Sequence, residues 1–506
     1  MKKTISGVLL ALTAVFALVA CGKKKTTTGE GTTKETTKKD RKRKGIASQI
    51  NFYCWNDEFK TRLNAYYGGE QKPVDATKPD GDKIGKNVKS VNGSVTILES
   101  GTKIQWTMYT NEGSVYQDNL DMALENDMVD MFLLEADYAT KYVKSEFVID
   151  MATQGLDTSK QYKYTVDVVT NAEGKVVGSS WQATPGAIVY NEAVATAVFG
   201  DEVTYAQMSE KLSTSKAKFD EVAAAVKAKS TESAPLFTLI GPDCWFRTYE
   251  NNLSAKMYDG TKITVDANVI QWIKDTKDYA TKGYIQGTDD DYKLWGGKWG
   301  TAQSEDKALC VFTCPWFTDF CLTGNRGKGK FDAKKEEIPT GYKDGDWKPA
   351  GMKIVAGYSS WFWGGTWLTA TPVSQQESTI TTDIKNIITD MTTNKATLLL
   401  ISKGTLDFTN NMDAMADLAA TEEALGKDGY STFFGQNPYK IYAESVKKAD
   451  LSKASDFDQQ ISEKIQGAFR PYFNGKKTAA AAWDEFVKDV KAATSVQTID
   501  KAAEIE

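Results

Sequence analysis

The run Met128-Val129-Asp130-Met131-Phe132-Leu133-Leu134 constrains this chain more than any other stretch. It is apolar on both alternating faces apart from Asp130, so a strand made from it must be covered on both sides. That is the condition of a central strand in a parallel sheet packed between helices. The surrounding pattern agrees. Ile50 to Trp55 reads as a strand, and Asn56 or Asp57 then caps a helix with Phe59, Leu63, Tyr66 and Tyr67 on one stripe. Lys103 to Tyr109 alternates, with Ile104, Trp106 and Met108 on one face, and the next helix carries Tyr116, Leu120, Ala123 and Leu124. Strand, helix, strand, helix, strand predicts a parallel sheet with right-handed crossovers.

The same grammar returns later. Phe219, Val222, Ala223 and Val226 mark one helical face, and Val269, Trp272 and Ile273 another that stops near Gly283. Ile384, Ile387, Ile388 and Met391 mark a third; Thr478 opens a last helix with Trp483, Phe486, Val487 and Val490. No internal repeat is visible, so more than one α/β lobe is expected. Residues 68–102, rich in Gly, Lys, Asp and Pro, read as an insertion at a lobe edge.

Among the 506 residues there is no histidine. Ser-His-Asp and Cys-His catalysis and His-dependent metal sites are therefore excluded. Cys54, Cys244, Cys310, Cys314 and Cys321 form no C-x-x-C pair, so neither a metal site nor a cofactor is expected, and they read as buried thiols.

The amino terminus sets the compartment. Lys2 and Lys3 precede an apolar stretch too short to span a bilayer comfortably, which reads as a signal peptide over residues 1–20. Leu18-Val19-Ala20-Cys21 resembles a bacterial lipobox, which implies that Cys21 is lipidated and holds the protein on the membrane surface. Residues 21–44 are Lys, Thr, Gly and Glu with little that is apolar, and read as a disordered tether. Arg41-Lys42-Arg43-Lys44 is a basic run suited to anionic lipid. Residues 45–506 hold 50 basic and 64 acidic side chains, which argues against a nucleic-acid partner.

The chemistry lies in the tryptophans. Trp272 and Trp483 sit on helical stripes and read as core. Trp55, Trp181, Trp245, Trp316, Trp361, Trp363 and Trp367 stand at strand ends or in Gly, Pro, Asn and Cys contexts. In an open α/β sheet ligands bind at the carboxyl ends of strands. Carboxylates and amides stand beside these rings: Asn56, Asp57 and Glu58 after Trp55; Glu135, Asp137 and Tyr138 after the buried strand; Gln182 after Trp181. A pyranose has a C–H face that packs on a ring and a rim of hydroxyls that need partners, so this mixture suits a sugar.

Four segments, in order, carry a family resemblance: residues 50–57; residues 129–138, V-D-M-F-L-L-E-A-D-Y; Gly186 to Asn191, ending Y-N; and residues 308–316 followed by Gly364-Gly365-Thr366-Trp367. Residues 468–477 add a C-terminal match. The chain resembles the bacterial extracellular solute-binding lipoproteins of carbohydrate ABC importers, related distantly to maltose-binding protein. The resemblance implies a two-lobed periplasmic-binding-protein-like α/β fold, each lobe a mainly parallel sheet flanked by helices, with the ligand cleft between them. It implies residues 45–182 plus 361–405 in the N-terminal lobe and 183–360 plus 406–506 in the other, with crossings near 181–187, 355–361 and 405–415. It further implies a monomeric, non-enzymatic receptor that closes on a carbohydrate and docks on permease subunits in the membrane. The expected ligand contacts are Trp55, Asn56, Glu58, Glu135, Asp137, Trp181, Gln182, Trp245, Trp316, Trp361 and Trp363. Two other readings of the same residues are a tryptophan cage for a quaternary ammonium solute and a glycoside hydrolase using Glu58, Glu135 or Asp137. The Cys-rich stretch 310–321 and the 68–102 insertion depart from the family pattern.

Overall fold

The chain enters its fold through an arginine. In the computed structural model, which describes residues 41–79, 81–322, 351–420 and 434–506, Arg43 donates to Asp130 at 2.7 Å and to Glu377 at 2.9 Å. Asp130 is 1% exposed and also accepts the Asn51 N–H. A buried carboxylate of this kind needs a cation, and Arg43 supplies it. This corrects the tether of the sequence reading: Arg43 belongs to the folded body, which begins at Lys42, and its guanidinium is not available to lipid. The signal peptide, Cys21 and the tether up to residue 40 lie outside the described residues.

The first sheet grows around β1 (Gln49–Cys54). β2 (Gln71–Pro73) and β3 (Lys83–Gly85) make a small antiparallel pair, and β4 (Val88–Asn92) and β5 (Val95–Leu98) a hairpin; these are the form the 68–102 segment takes. β5 joins antiparallel to β6 (Lys103–Met108), which runs parallel to β1. β7 (Met131–Glu135) is parallel to β1 on its other side, and all of Met131 to Leu134 is buried, as the double-sided apolar run requires. On β6, Ile104 and Trp106 are buried, while Met108 at the strand end is 41% exposed.

After β8 (Ser179–Ser180) the chain leaves this sheet. β9 (Ala187–Asn191), β10 (Leu239–Ile240), β11 (Ile263–Val265), β12 (Ile285–Gln286), β13 (Cys310–Thr313) and β14 (Met352–Val355) belong elsewhere. β9 is flanked by β13 and β14, both antiparallel. β10 pairs with β12, and Leu309 and Cys310 donate to the Phe237 and Thr238 carbonyls, which carries the second sheet across to β10. β15 (Thr366–Ala370) returns to the first sheet between β7 and β8, giving it the order β4-β5-β6-β1-β7-β15-β8. β16 (Ile499–Lys501) pairs with β11.

Helices cover both sheets for the reasons visible in the sequence. The helix Ser378–Thr393 buries Ile380, Ile384, Ile387, Ile388 and Met391 in one cluster with Ile50, Phe52 and Met131 of the first sheet. Each such side chain stabilises by about 1.5–3 kcal/mol relative to leaving it exposed. The helix Lys216–Lys229 buries Phe219, Val222, Ala223 and Val226 in the second lobe, together with Val269, Trp272 and Ile273 of Ala267–Lys282. Gly283 ends the latter at φ +72°, a left-handed position that favours glycine. The result is a two-lobed α/β fold.

Three extended segments run side by side between the sheets. Residues 181–186 are in the middle. Ala183 donates to the Phe408 carbonyl at 2.9 Å and Asn410 to that of Trp181 at 3.0 Å. On the other side, Gly186 donates to Trp361 at 2.7 Å and Trp363 to Thr184 at 3.0 Å.

Candidate functional site

β1 and β7 are parallel, so their carboxyl ends present Trp55 and Glu135 at the same edge of the first sheet. Trp55 stands edge-on to Tyr116 at 5.6 Å and to Tyr138 at 6.4 Å. The turn after β7 places Asp137 and Tyr138, and Glu135 accepts the Asp137 N–H at 2.9 Å. From the second sheet, β13 ends at Thr313, and after Cys314 a short turn starting at Pro315 carries Trp316. The Trp316 indole donates to the Trp363 carbonyl at 2.8 Å, with the two rings edge-to-face at 4.9 Å.

Gly364 is where these groups meet. Its φ is +69°, and a Cβ there would lie 3.4 Å from Glu135 Oε1 and 3.5 Å from Trp316 Nε1. The crossing segment thus needs glycine for its turn, and a carboxyl of one lobe and an indole of the other flank it at contact distance.

Beside it stands a charged clamp. Arg247, on the short helix Arg247–Glu250 of the second lobe, donates two bonds to Asp137, at 2.8 and 2.6 Å, and one to Glu250 at 2.9 Å. Glu250 is held in turn by Ser462 and Asn251. A bidentate guanidinium–carboxylate pair fixes both distance and orientation, so this one ties the β7 turn to the second lobe. Carboxylates outnumber cations here. Burial pushes Glu135 well above the usual carboxylate range, and the neighbouring Asp137 adds to the effect while Arg247 opposes it. Burial likewise raises Glu250 and Asp458. The Arg247 guanidinium stays charged: burial works against its charge, but Asp137 and Glu250 outweigh it. A cavity of about 40 Å³ remains between Arg247, Leu294, Trp361 and Trp363, space for a water molecule or so. Among the described residues the Tyr138 hydroxyl, buried in electrostatic range of Glu135 and Asp137, finds no hydrogen-bond partner.

Of the residues read from the sequence, the structure brings Trp55, Glu135, Asp137, Trp316 and Trp363 to this one place. Trp361 lines the small cavity beside Arg247 but is itself buried, and the remaining expected contacts lie elsewhere. Trp245 is 0% exposed, donates to Thr276 at 3.0 Å and packs on Tyr279 at 4.5 Å inside the second lobe. Trp361 is buried because Gly186 and Gly357 leave room for it; a Cβ at either would fall 2.1 or 2.0 Å from its ring. Trp367 is buried in β15 and donates to the Thr165 carbonyl. Trp181 is buried under the Arg62 guanidinium, 5.8 Å from the ring, and Gln182 accepts from Thr366. Glu58 lies 3.9 Å from Arg62, which also donates to Asp407 at 3.2 Å with both of those side chains at 0% exposure. Asn56 is exposed and its side chain accepts the Glu58 N–H at 3.1 Å just ahead of the helix. Trp181, Gln182 and Glu58 therefore belong to a polar staple at the crossing, not to the cleft. The five cysteines of the body are free thiols, and burial pushes that of Cys54 up to about 12.

Arg247 and Gly364 were missed by the sequence reading, as was Trp295. Arg247 follows Cys244-Trp245-Phe246, and nothing local to that run marks it apart from the aromatic rings. The Trp295-Gly296-Gly297 string was a signal of the kind used elsewhere. Among the described residues no helix is long and apolar enough to cross a membrane, and no three His, Cys, Asp or Glu gather to hold a metal ion.

The architecture and cleft define a class: the fold is that of the two-lobed extracellular solute-binding proteins. The structure matches a crystal structure described as an extracellular solute-binding protein of family 1 (16% identity, TM-score 0.61, covering 88% of this chain and 99% of that one). It also matches an ABC substrate-binding protein from Listeria monocytogenes in complex with cycloalternan (12%, 0.56, 89% and 100%). A third match is an ABC-transporter-associated binding protein from B. animalis subsp. lactis in complex with β-1,6-galactobiose (13%, 0.56, 90% and 100%). No family model and no curated protein matches the sequence.

Proposed function

We propose that this chain is a lipid-anchored extracytoplasmic receptor, not an enzyme, that binds a carbohydrate between its lobes and delivers it to an ABC importer. One observation carries the reading. Glu135 of the first lobe and Trp316 of the second flank Gly364 at contact distance, with Trp363 against Trp316 and Trp55 against Tyr138 of the turn after β7. The carboxyl bonds hydroxyls and the rings cover C–H faces, and only approach of the two lobes supplies both. A ligand that touches both lobes favours their closed arrangement by its differential contacts. Neighbouring structures that hold cycloalternan and β-1,6-galactobiose support an oligosaccharide as the ligand class. The lobes are assigned as residues 45–182 plus 361–405 and 183–360 plus 406–506. Contact with ligand is assigned to Trp55, Glu135, Asp137, Trp316 and Trp363.

The test is a thermal-shift screen of the purified protein against oligosaccharides, with betaine and choline as controls. A ligand at a hundredfold excess over its Kd stabilises by ~2.7 kcal/mol, so a rise in midpoint without product formation supports the reading. A rise with betaine or choline alone overturns it in favour of a cation site, and turnover of a glycoside overturns it in favour of an enzyme. The anchor is tested separately: palmitate labelling in a bacterial host is expected and is lost in Cys21→Ser.

A further inference from the structure

Trp295 is 56% exposed, and its backbone is left-handed at φ +67°. That conformation is an outlier for a bulky side chain, and such outliers persist where surrounding structure imposes them. The surroundings here are firm. Leu294 donates to Asp243 at 3.4 Å, and Asp243 is buried and paired with Arg470 at 2.7 Å. Gly287 faces the Tyr292 ring and Gly296 the Asp291 carbonyl so closely that a Cβ would fall 2.1 and 2.3 Å away. A braced loop therefore holds an aromatic ring out into solvent.

That ring continues the cleft. Trp295 lies nearly parallel to Trp316, at 6.1 Å and 19°, and edge-on to the buried Trp299 at 5.5 Å. From Glu135 and Gly364 the aromatic surface runs through Trp316 to Trp295, from the interior to solvent. We propose that Trp295 is an outer saccharide subsite: the ring of a sugar unit beyond the closed cleft packs on its free face. The receptor then selects chains over single sugars and leaves one end of the chain outside. This rests on the carbohydrate reading above.

The experiment compares the unaltered protein with Trp295→Gly and Trp295→Phe by calorimetry. The probes are α-1,4-linked glucose chains of two to five units and β-1,6-linked galactose chains of two to four. Affinity of the unaltered protein is expected to rise with length and then level off. In W295G the longest chains should lose about five- to tenfold, the range of one aromatic contact, and the shortest less than about twofold; W295F should recover most of the loss. Glycine adopts φ +67° freely, so the ligand-free midpoint of W295G should stay level or rise. An equal loss at every length, or a lowered midpoint, makes Trp295 a structural support for Trp316 and overturns the subsite. No loss at any length overturns it too, and means that something else occupies the ring face. Failure of both ladders to bind the unaltered protein defeats the carbohydrate reading itself and the subsite with it, a result distinguishable from binding that ignores position 295.

Discussion

Trp245 and Trp316 occupy similar sequence contexts, Cys-Trp and Cys-Pro-Trp, yet their surroundings in the fold are opposite. Trp245 lies under the helix Ala267–Lys282, its indole bound to Thr276 and its ring against Tyr279. Trp316 lies across from Gly364, half-buried between the Trp363 and Trp295 rings, and its indole binds a backbone carbonyl in the crossing. A buried aromatic that fills one lobe works on stability. On the proposed function, a partly exposed one between lobes works on ligand.

Mutation can break this comparison. The largest effect is expected at Trp245→Ala, which should lower stability by about 3–5 kcal/mol as a cavity opens in the second lobe. Chemical denaturation checks it, and a loss under 1 kcal/mol would remove Trp245 from the core. Asp407→Ala should come close behind. It removes the carboxylate 3.2 Å from the Arg62 guanidinium, both buried at the crossing, at a cost of up to about 3–5 kcal/mol. Trp316→Ala is the opposite case: a ligand-free midpoint near that of the parent, with sugar affinity reduced about tenfold, or ~1.4 kcal/mol, by calorimetry.

The smallest effect concerns protons. Burial, then Asp137, hold Glu135 above its ordinary range, so above that range the folded chain keeps a proton that the unfolded chain releases. Glu135 therefore subtracts stability as pH rises through and beyond the ordinary carboxylate range of about 4, and costs nothing below it. Glu135→Gln should gain on its parent between pH 4.5 and pH 8 in paired thermal melts. A constant or shrinking difference would show that Glu135 is ionised at no cost.

Much of the scaffold was legible because it rests on periodicity. The stripe Phe219, Val222, Ala223, Val226 and the double-sided run ending at Leu134 each admit one burial pattern, and the fold adopts both. The site was legible in part. Glu135 and Asp137 stood out because they end a buried parallel strand. Trp181, Trp245 and Trp361 did not differ from Trp316 on any local ground. Room for Trp361 depends on Gly186 and Gly357, which lie on two different crossings. Arg43 reads as one more basic residue of a tether until Asp130 and Glu377, far along the chain, are placed around it.

The sequence by itself determined the α/β lobes and the exclusion of histidine chemistry, because periodicity and composition are local properties. Only the tertiary structure decided which tryptophans are buried core and which stay half-buried at the lobe crossing. It also decided that Arg247 clamps Asp137 and that Glu135 and Trp316 flank Gly364. Those facts depend on contacts between separate segments, 31 residues apart for Trp245 and Thr276 and 110 for Arg247 and Asp137, where burial and charge pairing are set by what the other segment brings.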